Sequence, residues 1–135
     1  MSNVQKKKEK DENEKIIGID LGTTFSCVSI MKNGKVEIIE DKATGEKRIP
    51  SMVWFKENGE ILIGGSAKSN MTEYPESTIF DSKRLIGLKF KNPAVQNDIK
   101  NWPFKVIEDE KTRKPKYIIG VKKTNIFLKI LLQQF

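Results

Sequence analysis

The chain of 135 residues contains no histidine and only one cysteine. Without histidine it has neither an imidazole base nor the commonest metal ligand. Cys27 alone permits no internal disulfide and no cysteine-based zinc site, and its apolar neighbours predict a buried, unreactive thiol. Any chemistry must therefore depend on carboxylates, hydroxyls, lysines and backbone groups.

Long apolar runs are also absent, since none approaches the ~20 residues that a membrane-spanning helix needs. Residues 1–15 are almost wholly polar and mix both charge signs. They lack the apolar core of a secretory signal and are too acidic for a mitochondrial presequence. We therefore expect a disordered charged tail over 1–15, a cytoplasmic protein and no membrane partner.

The net charge of +7 comes from 25 basic and 18 acidic residues, and the basic ones are scattered among acids. No basic stripe interleaved with aromatics is present, as a nucleic-acid interface would require. We expect a solvated surface and no nucleic-acid partner.

Alternating and apolar segments predict a strand-rich fold that opens with hairpins. The run 16–20 ends in a carboxylate and predicts a buried strand, and further strands are predicted over 25–31 and 36–40. Asn33-Gly34 between two apolar runs is the strongest short hairpin signal. These three strands should form an antiparallel meander.

Later segments add short helices to further hairpins. Strands are predicted at 52–55, 61–64, 105–108 and 115–119, with helical turns at 66–71, 82–86 and 93–98. Asp81 or Ser82 should cap the second of these helices, and Pro93 should open the third. The predicted class is mixed α/β, rich in β-hairpins.

Asp20-Leu21-Gly22-Thr23-Thr24 lies between the first two predicted strands. Gly22 lets the backbone pass close to a ligand, and the threonine hydroxyls and backbone N–H groups can converge on phosphate. The segment is neither a P-loop nor a dinucleotide fingerprint, because a strand follows it instead of a helix. By themselves these five residues suit a phosphate loop and an ordinary hairpin turn equally well.

Residues 17–28 closely resemble the first phosphate-binding signature of the seventy-kilodalton heat-shock chaperones, the heat shock protein 70 family of DnaK type. Segments that look like the same family follow in its order at 34–39, 49–51, 80–87 and 102–104. The resemblance covers about residues 16–121. It implies part of an actin-like, ribonuclease-H-like ATPase lobe, namely the N-terminal part of a nucleotide-binding domain.

The resemblance also implies a role for individual residues. Asp20 corresponds to the aspartate that binds Mg²⁺ through water, and Lys83 to the lysine that reaches the γ-phosphate and the attacking water. We therefore expect Asp20 and Lys83 to be catalytic. A lysine in the first turn of a helix otherwise opposes the helix dipole, which a bound polyphosphate would reverse.

The nucleotide-binding residues implied by the resemblance are Gly22, Thr23, Thr24 and Phe25. The first three correspond to the turn that wraps the β- and γ-phosphates. Phe25 stands where the family usually has tyrosine, so a hydrogen bond from that hydroxyl is lost. The implied cofactors are ATP or ADP and Mg²⁺. The implied partners are unfolded client polypeptides, J-domain co-chaperones and nucleotide-exchange factors, as part of protein folding under stress.

Residues 122–135 depart from the family and form a divergent tail. One back-translation of 124–135, read two bases on, gives Lys-Tyr-Phe-Pro-Glu-Asp-Ile-Thr-Ala-Ala-Ile, which resembles the family's continuation. We interpret the tail as the product of a shifted reading frame, which sequencing the transcript would test. The alternative is an amphipathic helix that docks on a partner, although its apolar residues nearly encircle a helix.

Three functions remain open at the level of sequence. The first is an ATP-hydrolysing folding chaperone, present here as an ATPase-domain fragment that is inactive by itself. The second is a sugar kinase of the same fold, which a hexose phosphorylation assay would reveal. The third is a truncated product that is inactive or competes for chaperone partners, and a urea melt would show whether it folds.

Overall fold

The computed structural model describes residues 16–42 and 44–120, together with the backbone of 122–123. The predictions for the tail 1–15 and for residues 124–135 lie outside the described residues. The elements are β1 (Ile16–Leu21), β2 (Phe25–Lys32), β3 (Lys35–Ile38), β4 (Ile49–Pro50), β5 (Val53–Phe55), β6 (Ile61–Ile63), α1 (Gly64–Asn70), β7 (Thr78–Ile79), α2 (Pro93–Asp98), β8 (Lys105–Glu108), β9 (Pro115–Ile119) and β10 (Lys122–Lys123). Single 3₁₀ turns occur at Pro75–Ser77 and Ser82–Leu85. The mixed α/β class, rich in hairpins, is confirmed.

The first sheet is the predicted antiparallel meander of β1, β2 and β3. Asn33 and Gly34 both have positive φ, at 51° and 72°, as the tight turn between β2 and β3 requires. A fourth strand, β4, was not predicted from sequence. It pairs with the start of β2, where Pro50 lies opposite Phe25 and Ile49 opposite Ser26. This pairing brings the segment after β4 beside the turn between β1 and β2.

The prediction that the first strand is buried is wrong for the structure described. Ile16 and Ile17 are each 57% exposed, and as neighbours in a strand they point to opposite faces of the sheet. Val36 on β3 is 66% exposed. An apolar run shows that a strand can be buried. Whether it is buried depends on other elements that cover it, and the run carries no information about them.

The second sheet has β5 at its centre, with β6 and β7 paired antiparallel on either side. Pairing of β5 with β6 confirms a hairpin between the strands predicted at 52–55 and 61–64. Helix α1 packs against β4, β5 and β6, and this links the first two sheets.

The main core lies between the third sheet, formed by β8, β9 and β10, and the segments that precede it. Its buried members are apolar or aromatic and come from six elements or turns: Ile79, Leu85, Val95, Phe104, Val106, Tyr117 and Ile119. Helix α2 begins with Pro93 in its first turn, as predicted. The Asn92 side chain, which was not predicted as a cap, accepts a hydrogen bond of 2.9 Å from the Ala94 amide. Within the described ranges, no helix is long and apolar enough to cross a bilayer.

Candidate phosphate-binding site

The connection between β1 and β2 consists of Gly22, Thr23 and Thr24, because β1 continues through Leu21. A Cβ atom added at Gly22 would lie 2.2 Å from the carbonyl oxygen of Phe25. No side chain fits at that distance from a backbone atom, so the turn requires glycine at this position. The sequence predicted that Gly22 lets the backbone pass close to a ligand. In the structure, the close neighbour of Gly22 is a carbonyl oxygen of the chain's own backbone.

The carbonyl oxygens of this turn are held by donors from distant parts of the chain. The Lys83 ammonium donates to the Leu21 carbonyl at 2.5 Å, and the Ser51 hydroxyl donates to the Gly22 carbonyl at 2.9 Å. The Ser51 amide donates to the Thr24 carbonyl, also at 2.9 Å. Two segments thus fix the backbone of the turn.

The amide groups of the same turn are not used in this way. In the part of the chain that the structure describes, the N–H groups of Thr23 and Thr24 donate to no protein acceptor. The Thr24 side chain is exposed and the Thr23 side chain half-buried. Bonded carbonyls at Gly22 and Thr24 with open amides at Thr23 and Thr24 give the turn partial positive charge, which suits an anion.

Asp20 lies two residues before the turn, exposed and directly opposite Cys27 in the β1–β2 pairing. Residues 16–42 and 44–120 contain no group of three or more carboxylate or cysteine side chains that could enclose a metal ion. A single exposed carboxylate fits Mg²⁺ held through its own waters and completed by phosphate oxygens, which is the usual mode for this ion. Asp20 would hold such an ion only together with a nucleotide.

Lys83 reaches the turn from a single 3₁₀ turn, Ser82–Leu85, instead of the predicted helix. Leu85 is fully buried in the core, whereas Lys83 and Arg84 are exposed, so the buried leucine anchors the backbone that carries Lys83. The 3₁₀ turn has only four residues, so Lys83 lies in its last turn as much as in its first. The expected opposition to a helix dipole therefore does not apply.

The predicted cap of this segment is also wrong. Asp81 precedes the 3₁₀ turn with a positive φ of 55°, and its side chain makes no capping hydrogen bond. Its carboxylate instead accepts from Arg84 Nε at 3.1 Å. The left-handed backbone at Asp81 lies between β7 and the 3₁₀ turn that carries Lys83.

Tyr117 packs beneath the segment that carries Lys83 and links it to β9. Burial raises the pKa of Tyr117 to about 12; a hydrogen bond with the Ser82 side chain opposes this rise, and the charge of Asp81 adds to it. The folded protein thus favours the neutral phenol. Its stabilising contribution is complete below pH 10 and is lost as the pH rises through 12.

We therefore expect the free energy of unfolding to fall by roughly 1 kcal/mol between about pH 9 and about pH 11 because of this one group. Urea unfolding at both pH values measures the change. Tyr117→Phe removes the phenol, so the variant should lack this part of the alkaline loss while keeping the part due to exposed lysines. An equal alkaline loss in both proteins would contradict the prediction.

Phe25, at the start of β2, is half-buried beneath two cationic side chains. The Arg48 guanidinium lies 4.9 Å and the Lys68 ammonium 5.9 Å from the centre of its ring. Both distances allow a cation–π interaction. These two residues place positive charge at Phe25, the residue that directly follows the phosphate turn.

The structure thus brings Asp20, Gly22, Thr23, Thr24, Phe25 and Lys83 to one region, and their roles towards a ligand stay predictions. The sequence reasoning missed Ser51, Arg48 and Lys68. Ser51 belongs to one of the family-like segments, but nothing local to it indicates a hydrogen bond to Gly22. Arg48 and Lys68 look like ordinary surface cations until pairing of β4 with β2 brings them near Phe25.

A comparison with known protein families agrees with this geometry. The family model described as Hsp70 protein matches residues 16–125, which include every residue of the site and four residues past Val121. The Hsp70 family consists of nucleotide-binding heat-shock chaperones, and the strand-rich mixed α/β fold is consistent with an incomplete actin-like ATPase lobe. The chain belongs to the Hsp70 family.

Proposed function

We propose that the turn Gly22–Thr24 and Lys83 form one wall of the Mg·ATP site of an ATP-hydrolysing folding chaperone. The observation that supports this best is the asymmetry of the turn. The carbonyls of Leu21, Gly22 and Thr24 are held by Lys83 and Ser51, and the amides of Thr23 and Thr24 are open. Anion-binding loops that receive phosphate oxygens have this arrangement.

In this proposal each residue acts through a group that the structure leaves accessible. The amides and hydroxyls of Thr23 and Thr24 receive the β- and γ-phosphates, and Asp20 holds the hydrated Mg²⁺. The metal ion would neutralise the charge on the phosphates. Lys83 already lies against the turn, so its ammonium can transfer from the Leu21 carbonyl to a phosphate oxygen.

Residues 1–135 by themselves are proposed to bind Mg·ATP weakly and not to hydrolyse it. Asp20, Thr24 and Lys83 are all exposed to solvent, so water is not excluded from the site. Phosphoryl transfer depends on positioning and charge neutralisation in a closed site, where reacting groups are held within about an ångström. Turnover above background that Lys83→Ala abolishes would contradict this part of the proposal.

Replacing Lys83 with alanine should weaken binding of Mg·ATP and of tripolyphosphate by about tenfold, because a charged hydrogen bond to phosphate contributes about 1.5 kcal/mol or more. NMR titration of the ¹⁵N-labelled chain measures both affinities through the amide signals of Thr23 and Thr24. Lys91→Ala is the matched control, since Lys91 is also an exposed lysine of the described chain. Equal affinities for the wild type and Lys83→Ala would contradict the role proposed for Lys83.

The wider activity follows from membership of the family. We propose that the complete chaperone cycle of which this site is a part acts in the cytoplasm on unfolded client polypeptides, with J-domain co-chaperones and nucleotide-exchange factors. The family match is what supports these partners.

A further inference from the structure

Ser51 is the only residue of the described chain that binds the phosphate turn through both its side chain and its backbone. Its hydroxyl donates to the Gly22 carbonyl at 2.9 Å, and its amide donates to the Thr24 carbonyl at 2.9 Å. These two carbonyls flank Thr23, the middle residue of the turn. One residue therefore fixes two peptide units of the turn, Gly22–Thr23 and Thr24–Phe25.

The orientation of those planes decides where the amides point. In a peptide unit the carbonyl and the following N–H are fixed antiparallel, so holding the Gly22 carbonyl towards Ser51 turns the Thr23 N–H the other way. The bond to the Thr24 carbonyl fixes the peptide unit between Thr24 and Phe25 in the same manner. The unit between Thr23 and Thr24, which carries the Thr24 N–H, is thus held between two fixed units. An anion site gains from donors that are oriented before the ligand arrives.

The surroundings of Ser51 hold its hydroxyl in place. Its Oγ lies 2.8 Å from the Oγ of Ser26, which is only 1% exposed. Pro50, just before Ser51, is paired with Phe25 in the sheet, and Pro fixes its own backbone φ. The Ser51 hydroxyl is thus a pre-positioned donor.

We propose that Ser51 is a positioning residue that orients the amides of the phosphate turn towards polyphosphate. The proposal rests on the proposed function of that turn. Ser51 touches no nucleotide itself and acts through the carbonyls of Gly22 and Thr24. Its contribution should appear as affinity for phosphate and as local order of the turn.

The test compares Ser51→Ala and Ser51→Thr with the wild-type chain, using Mg·ATP and tripolyphosphate as probes. Ser51→Ala should weaken the affinity measured at the Thr23 and Thr24 amides by about fivefold, as loss of one hydrogen bond predicts. Ser51→Thr keeps the hydroxyl and should bind within about twofold of the wild type. Urea midpoints establish that all variants remain folded.

Ser29→Ala is the matched control. The Ser29 hydroxyl also donates to a glycine carbonyl of the first sheet, that of Gly18, at 3.4 Å, but away from the turn. Its removal should leave the affinity unchanged. Ser51→Ala with wild-type affinity, or Ser29→Ala with the same loss, would overturn the proposal.

A measurement without ligand separates this proposal from the proposed function. If the wild type binds neither probe, the function proposed for residues 1–135 fails, and the role of Ser51 is judged by hydrogen exchange. In the free chain, Ser51→Ala should accelerate exchange of the residue-51 amide about tenfold after correction for its intrinsic rate, whereas Ser51→Thr should not. Unchanged exchange in Ser51→Ala would overturn the positioning role.

Discussion

Replacing Phe104 with alanine is expected to lower the free energy of unfolding by about 3–5 kcal/mol. The Phe104 side chain is 3% exposed and forms the centre of the aromatic part of the core. Its ring meets Phe80 edge-on at 5.2 Å, stacks on Trp102 at 5.3 Å and meets Tyr117 edge-on at 5.8 Å. Alanine would leave a cavity among three large rings, which cannot collapse to fill it.

Urea unfolding followed by circular dichroism and by tryptophan fluorescence measures this loss. The fluorescence is informative because Trp102 stacks directly on Phe104. Phe104→Leu keeps most of the buried volume and should cost less than about 1.5 kcal/mol. A loss below about 1 kcal/mol for the alanine variant would show that this core is not formed in solution.

The core also determines the position of the candidate site. Leu85 is buried in the same cluster as Phe104 and Tyr117, and Lys83 lies two residues before it. A loosened core should therefore allow Lys83 to leave the Leu21 carbonyl. We expect Phe104→Ala to weaken phosphate binding even where the chain remains folded.

Local patterns in the sequence predict most of the strands and hairpins correctly. Asn33-Gly34 fixes the turn between β2 and β3, because both residues accept positive φ. Asn92-Pro93 fixes the start of α2 through a side-chain cap and a preset φ. In each case the determining interaction lies within a few residues, so the sequence contains the whole signal.

Features that depend on distant residues were missed or predicted wrongly. The two-residue strand β4 has no periodicity to detect, and it forms because β2 offers an open edge beside Phe25. Asp81 was expected to cap a helix. Its carboxylate instead bonds to Arg84, and a single 3₁₀ turn stands where the helix was predicted. Burial of β1 was predicted from its apolar run, which does not specify a covering layer.

Local sequence patterns predict only part of the candidate site. Asp20-Leu21-Gly22-Thr23-Thr24 indicates a turn that suits phosphate, but nothing local to Lys83 connects it with that turn. The link came from resemblance to the family, and the structure gives its physical form as the bond to Leu21. Ser51 is connected with the turn only through hydrogen bonds between residues far apart in the sequence, which no local pattern indicates.

Replacing Gly22 with alanine should disrupt the turn and abolish detectable binding of phosphate. The new Cβ would lie 2.2 Å from the Phe25 carbonyl oxygen, a backbone atom at the start of β2, and Gly22 directly follows the last residue of β1. Relief requires the two strands to separate at their closed end, so we expect a cost of about 3 kcal/mol. The bonds from Lys83 and Ser51 to this turn would be lost together.

Gly65→Ala provides the matched control, because its Cβ would also meet an atom at short range. That atom is Cγ2 of Thr44, 2.6 Å away, which belongs to an exposed side chain that can rotate. Alanine also suits helix α1 better than glycine, so this variant should stay within about 1 kcal/mol of the wild type. Urea unfolding and the NMR titration with tripolyphosphate compare the two variants. Wild-type binding by Gly22→Ala would mean that the turn adopts another conformation in solution, and the phosphate site as described would then be wrong.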